Sequence, residues 1–134
     1  MNEKMQSVII PLTVNTYDID AAGHVNNIVY VRWLEDLRIK LANTLGDFKK
    51  LFDEGYYLVV ISTEIKYRRQ IKLFDKPYGT MEYAGHKHGI ITLKAIVTLD
   101  GKICVSAFQK CVVMNLNTDK MVKDETLAEL LFIK

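Results

Sequence analysis

Between Tyr17 and Arg38 the chain reads YDIDAAGHVNNIVYVRWLEDLR, and the first half of that stretch crowds several reactive groups together. It holds two carboxylates (Asp18, Asp20), a Gly-His pair (Gly23, His24) and two adjacent asparagines (Asn26, Asn27). An ordinary turn needs one or two polar residues with Gly or Asn. So many groups able to move protons or bind anions point to chemistry at this junction. A carboxylate can serve as a nucleophile or a general base. If Asn26 or Asn27 caps a following helix, the first-turn N–H groups have no intrahelical partners. They then present the positive end of the helix dipole to any oxygen that develops negative charge.

The elements that must position these groups follow from periodicity. VIIPLTV (Val8 to Val14) precedes the junction, and residues 8 to 15 read as a first strand, with Pro11 implying an edge or a bulge. From Asn27 to about Leu45 the pattern is helical, with Gly46 as the stop. Ile28, Val31, Leu34 or Glu35, Arg38 and Ala42 trace one stripe, and Tyr30, Trp33, Leu37 and Leu41 trace its neighbour. Two adjacent apolar stripes predict a helix buried on most sides, roughly 28 Å long at ~1.5 Å per residue. Four strand-like segments follow: Tyr57 to Gln70, Tyr78 to Lys87, Ile90 to Leu99 and Lys102 to Leu116. Asp100-Gly101 is a strong two-residue hairpin signal and His88-Gly89 a weaker one, so the last three strands form an antiparallel meander. The C-terminal TLAELLFI reads as a short helix with Thr126 and Glu129 as a capping box. This order predicts an α+β domain, a sheet wrapped around one long helix.

Length and composition bound the rest. The 134 residues suit one domain (1–134), and 49% hydrophobic with 25% charged residues is a soluble globular composition. No apolar run approaches a membrane span, and Glu3 precedes a short apolar stretch without a cleavage site, so no membrane and a cytoplasmic location are expected. A net charge of +2 implies no polyanion, and a nucleic-acid partner would need a broader basic face than Lys66 to Lys72 provides. Within that segment Lys66, Arg68, Arg69 and Lys72 form a cationic cluster that suits a solvated strand end or a phosphate-bearing small ligand. Cys104 and Cys111, seven apart in one strand, are expected on opposite faces and unable to bridge each other, as buried, reduced thiols and not a catalytic cysteine. His86 and His88 formally permit a metal site, but no third ligand is signposted and no metal is expected.

The stretch resembles the signature of the hotdog-fold acyl-CoA thioesterases, in the branch similar to 4-hydroxybenzoyl-CoA thioesterase. The pattern is met by Asp18, Asp20, Gly23, His24, Val25, Asn26, Asn27, Tyr30, Trp33, Glu35 and Arg38. One departure is Asn15, where many such proteins carry Arg. The resemblance implies a hotdog fold, a five-stranded antiparallel sheet around one long central helix, and hydrolysis of an acyl-CoA thioester without a cofactor. It gives Asp20 the catalytic carboxylate and the Asn27 N–H the polarisation of the thioester carbonyl. His24 would move a proton or hold the loop, and Asp18 would serve as a hydrogen-bonding or capping residue. Gly23, Asn26 and Tyr30 would line the substrate site, with Arg68, Arg69, Lys87 and His88 offered to the phosphates of coenzyme A. Glu35 would pair with Arg38. A sheet wrapped round one helix leaves unpaired edges, which predicts an obligate homo-oligomer with the long segment Tyr57 to Gln70 as the partner strand. The resemblance agrees, implying a homodimer or a dimer of dimers (a homotetramer) with sites at the dimer interface. The dehydratase and hydratase patterns of other hotdog proteins are absent. A non-catalytic module binding acyl-CoA or acyl-carrier protein is the alternative, and it would have no need of Asp20.

Overall fold

The computed structural model describes residues 6–131. Strand β1 (Ser7–Pro11) is followed by a single 3-10 turn (Thr16–Asp18), helix α1 (Asn27–Leu45) and a short α2 (Phe48–Asp53). Strands β2 (Tyr56–Tyr67), β3 (Tyr78–Lys87), β4 (Ile90–Leu99) and β5 (Lys102–Asn115) come next, then the two-residue β6 (Lys120–Met121) and α3 (Asp124–Leu130). The strands lie in the antiparallel order β1-β3-β4-β5-β2, with β6 against β5. This is the expected sheet plus one short strand.

The meander is turned where expected. His88 and Gly89 (φ 55° and 78°), like Asp100 and Gly101 (52° and 77°), adopt the paired positive φ of tight hairpin turns. β1 is shorter than its apolar run, because beyond Pro11 the Leu12 N–H turns away to the Pro77 carbonyl at 2.9 Å. β1 and β2 are the sheet edges, which suits Pro11.

Helix α1 lies against the sheet through Val29, Tyr30, Trp33, Leu34, Leu37, Leu41, Ala42 and Leu45. Gly79 on β3 sets the approach, since a Cβ there would fall 2.9 Å from Leu37 Cδ1 and 3.1 Å from Leu12 Cδ1. The core has two lobes. Leu34 to Leu45 pack with Met81, Leu93, Cys111 and Leu127, while Val25, Val29, Tyr30 and Trp33 pack with Leu12, Ile71, Val97 and Cys104.

Three local expectations are corrected. Ile28 and Val31 are 56% and 47% exposed, so α1 buries one broad face only. Both cysteines are buried as expected, but both face the core instead of lying on opposite faces, because the pairings 97↔105 and 98↔103 skip Cys104 and the resulting bulge re-aims it inward. α3 begins at Asp124, which places Thr126 and Glu129 inside the helix rather than at its cap. The Asp124 carboxylate instead accepts the His88 and Gly89 N–H groups, at 3.0 and 2.6 Å.

Candidate active site

The junction between β1 and α1 is a small hairpin of its own. Ile19 bridges Val25, the Asp20 N–H donates to the His24 carbonyl at 2.8 Å, and the Gly23 N–H donates to the Asp20 carbonyl at 3.0 Å. Gly23 sits at φ +83° with open space around it, so its role is conformational. The Asp20 side chain is part of the scaffold: Oδ1 accepts from the Ala22 N–H at 2.9 Å and the His24 N–H at 3.1 Å. Its Oδ2 accepts no hydrogen bond among the described residues. One oxygen is fixed by the backbone and the other faces outward.

Asp18 has the structural role expected of it. It is 4% exposed, and its Oδ2 accepts from Asn15 N at 2.8 Å and Asn15 Nδ2 at 3.3 Å. Asn15, where the sequence pattern departs, is thus the partner of a buried carboxylate. The Asp18 carbonyl takes the Asn26 N–H at 2.8 Å, which ties the loop to the head of α1. Asn26 caps the helix through its own side chain, accepting from the Ile28 N–H at 3.2 Å. Val29 N–H reaches the Asn26 carbonyl. That leaves the Asn27 N–H, at the first helical position, without an acceptor among the described residues.

The loop after β2 clamps this junction from the other side. The Val25 N–H donates to the Ile71 carbonyl at 2.8 Å, and His24 bridges Lys72. His24 is half-buried between them. Arg68 and Arg69 both donate their N–H groups to the Cys104 carbonyl, which fixes them at the same end of the sheet as Asp20 with exposed side chains.

Other expected site residues lie buried beneath the junction or far from it. Tyr30 is core: it is 4% exposed and packs edge-on against Trp33 and Tyr67, each with ring centroids at 5.3 Å. Burial pushes its hydroxyl pKa up to about 12. Lys87 and His88 lie at the far end of β3 from Tyr78, roughly 30 Å along the strand at ~3.3 Å per residue. His88 is a turn residue there, and within the chain neither joins Asp20. His86 is held between the Tyr83 hydroxyl on Nδ1 and Asp124, 4.0 Å from Nε2. No group of three metal-ligating side chains occurs among the described residues. Glu35 does pair with Arg38, loosely at 3.8 Å, while the firmer bond of Arg38 is to Gln109 Oε1 at 3.0 Å.

Sequence reasoning missed a groove. About 460 Å³ lies between α1, α2 and the start of β2, walled by Ile39, Phe48, Phe52, Tyr57 and Leu58 with Arg38 at its side. Its only trace in the sequence is apolar residues on faces the fold leaves exposed.

A family model described as the thioesterase-like superfamily matches residues 14–130. The chain belongs to that superfamily. Among curated relatives, the long-chain acyl-CoA thioesterase FadM of Escherichia coli (strain K12) is 27% identical over 111 residues, covering 81% of this chain and 84% of FadM. The crystal structure of YbaW, a probable thioesterase from Escherichia coli, superposes with a TM-score of 0.80 at 26% identity, covering 92% of this chain and 94% of that one. A thioesterase from Thermus thermophilus, complexed with coenzyme A and Zn, superposes at 0.75 with 22% identity, covering 90% and 88%. The antiparallel sheet wrapped on one long helix is the hotdog fold of these thioesterases.

Proposed function

We propose that this protein is an acyl-CoA thioesterase, hydrolysing a coenzyme A thioester to a free carboxylic acid and coenzyme A. The observation that carries the reading is the pairing of a carboxylate with one outward-facing oxygen, Asp20 Oδ2, and an unclaimed helix-start N–H at Asn27 on one tied junction. The thioester oxygen takes the Asn27 N–H, so negative charge forming on it meets the positive end of a 19-residue helix. Asp20 Oδ2 either removes a proton from the attacking water or attacks the carbonyl carbon itself. In the first route the water oxygen bonds to carbon, the C–S bond breaks, and the proton held by Asp20 passes to the departing thiolate. In the second, a mixed anhydride forms and water then cleaves it. Single turnover in ¹⁸O water separates them, since only the anhydride route can leave the label in the carboxylate of Asp20.

Arg68 and Arg69 anchor the phosphates of coenzyme A from the same end of the sheet. The acyl group is a long chain. FadM acts on such substrates by its name, and the groove beside Ile39 and Tyr57 has the apolar walls and volume to take one. The working unit is a homodimer formed through β2. That strand is a 12-residue open edge with Tyr57 and Ile61 48% and 51% exposed, a surface that a soluble chain covers.

Thiol release from acetyl- to palmitoyl-CoA tests the proposal. Turnover rising with acyl length is expected, and no release across the panel at micromolar protein would refute it.

A further inference from the structure

Phe74 has the highest exposure of the large apolar side chains described, at 85%, and it stands in a conformation that suits it poorly. It occupies the third position of the turn from Lys72 to Asp75, at φ +75°, where glycine or asparagine is the usual occupant. The turn is held shut at both ends: the Asp75 N–H donates to the Lys72 carbonyl at 3.1 Å, and Asp75 Oδ2 accepts the Lys72 N–H at 2.8 Å. No aromatic partner covers the ring among the described residues. A bulky ring kept in a glycine conformation and aimed at water marks a functional position more than a structural one.

Its surroundings say what it would take. The turn is clipped to the catalytic junction through Val25 to Ile71 and His24 to Lys72. Arg68, Arg69, Lys72 and Lys76 all lie within this loop, exposed and without an ion-pair partner among the described residues. An exposed aromatic ring on a loop that also carries four unpaired cations fits a planar base carrying phosphates, since aromatic rings stack on any base and cations take the charge. We propose that Phe74 is the stacking platform for the purine base of the coenzyme A nucleotide. This rests on the thioesterase reading and sharpens it: the enzyme selects coenzyme A thioesters over thioesters on a bare pantetheine arm, which lacks the base. A bilayer surface also attracts cations and rings, but one ring on a braced turn lacks the extended apolar face of a membrane-lying helix.

Phe74→Gly is a sharp probe because glycine relieves the positive φ while deleting the ring, so the turn is kept. Full-length wild type, Phe74→Gly and Phe74→Trp are titrated calorimetrically with coenzyme A and with pantetheine, and assayed on acyl-CoA and acyl-pantetheine. For Phe74→Gly the expected result is about 5- to 100-fold weaker coenzyme A binding, a matching rise in KM for acyl-CoA, and kcat and pantetheine binding unchanged. Phe74→Trp should bind coenzyme A at least as well as wild type. Undiminished coenzyme A binding by Phe74→Gly, or equal loss towards coenzyme A and pantetheine, overturns the proposal. So does co-sedimentation with phosphatidylserine vesicles that Phe74→Gly abolishes while coenzyme A binding stays intact. A wild type that binds coenzyme A through Phe74 but hydrolyses no thioester would leave the platform standing and sink the thioesterase reading.

Discussion

Replacing Asp20 separates its proposed chemistry from its scaffold role, because the two belong to different oxygens. Oδ1 accepts the Ala22 and His24 N–H groups, while Oδ2 is open. In Asp20→Asn the amide oxygen can keep both backbone hydrogen bonds, so the loop survives while the negative charge and the base are lost. We expect kcat to fall about 10²- to 10⁴-fold, the range for removing a general base, with Tm nearly unchanged. Asp20→Ala loses the same chemistry and also leaves two N–H groups to water. At ~0.5–1.5 kcal/mol for each bond, that is at most about 3 kcal/mol. The true loss lies at the low end because the loop is exposed, giving a Tm drop of roughly 3–5 °C. Asp18 supplies the opposite signature. Its buried carboxylate holds Asn15, so Asp18→Ala should lower stability by about 1–3 kcal/mol while changing turnover less than Asp20→Asn does. Thiol release and thermal melts on the purified variants read both axes. An Asp20→Asn enzyme with more than about a tenth of wild-type kcat would refute the assignment, as would equal kcat losses in folded Asp18 and Asp20 variants.

Three further outcomes follow from other contacts. Mixing Asp20→Asn chains with chains altered in the groove at Ile39→Lys should restore activity if each site takes its acyl groove from the partner, and Ile61→Lys should shift light scattering toward monomer; unrestored activity would mean sites built within one chain. Gly79→Ala should cost about 1–3 kcal/mol in urea unfolding, since the new methyl meets Leu37 Cδ1 at 2.9 Å on the face where α1 seats; a neutral result would show that the helix can move aside. The Gly89 N–H bond, with help from His88 and His86, lowers the Asp124 carboxyl pKa. Its stabilising effect is then complete above the unfolded value, near ~4, and fades as pH falls through the folded one. Asp124→Asn should therefore be less stable than wild type at neutral pH, with a gap that closes in acid; a gap that widens in acid would reverse the sign.

Much of this architecture was legible because its signals are local. β3 and β4 are bounded as their alternation and turn dipeptides imply, and α1 runs from Asn27 to Leu45 between an asparagine cap and a glycine stop. The candidate junction could be read for the same reason, since Asp18 to Asn27 is one contiguous segment. What did not show was set by distant partners. The bulge that turns Cys104 inward depends on β4, and the capping of α3 is displaced because Asp124 is taken by a turn 35 residues earlier. Lys87 and His88 share a charge type with Arg68 and Arg69, but topology puts them at opposite ends of the sheet. Phe74 gives no signal by residue type, and its backbone angle together with its exposure sets it apart.

The stripe of α1 that the sequence marks as apolar and the fold leaves bare has a place in the proposed dimer. Ile28 and Val31 lead from the Asn27 N–H along α1 toward Ile39, which is 56% exposed at the groove. Tyr57, on the open edge strand, forms another wall of that groove. Antiparallel pairing of two β2 edges about a two-fold axis sets the Tyr56 end of one strand beside the Tyr67 end of the other. The Tyr67 end carries Arg68 and Arg69 and the loop clipped to the candidate catalytic junction. In that proposed dimer each groove would be delivered to the Asp20 end of the other subunit, so one association would cover the bare stripe, close the sheet edge and set an acyl channel beside Asp20. A lone chain has the candidate reactive groups and the groove at opposite ends of β2, and the proposed dimer would bring them to one substrate.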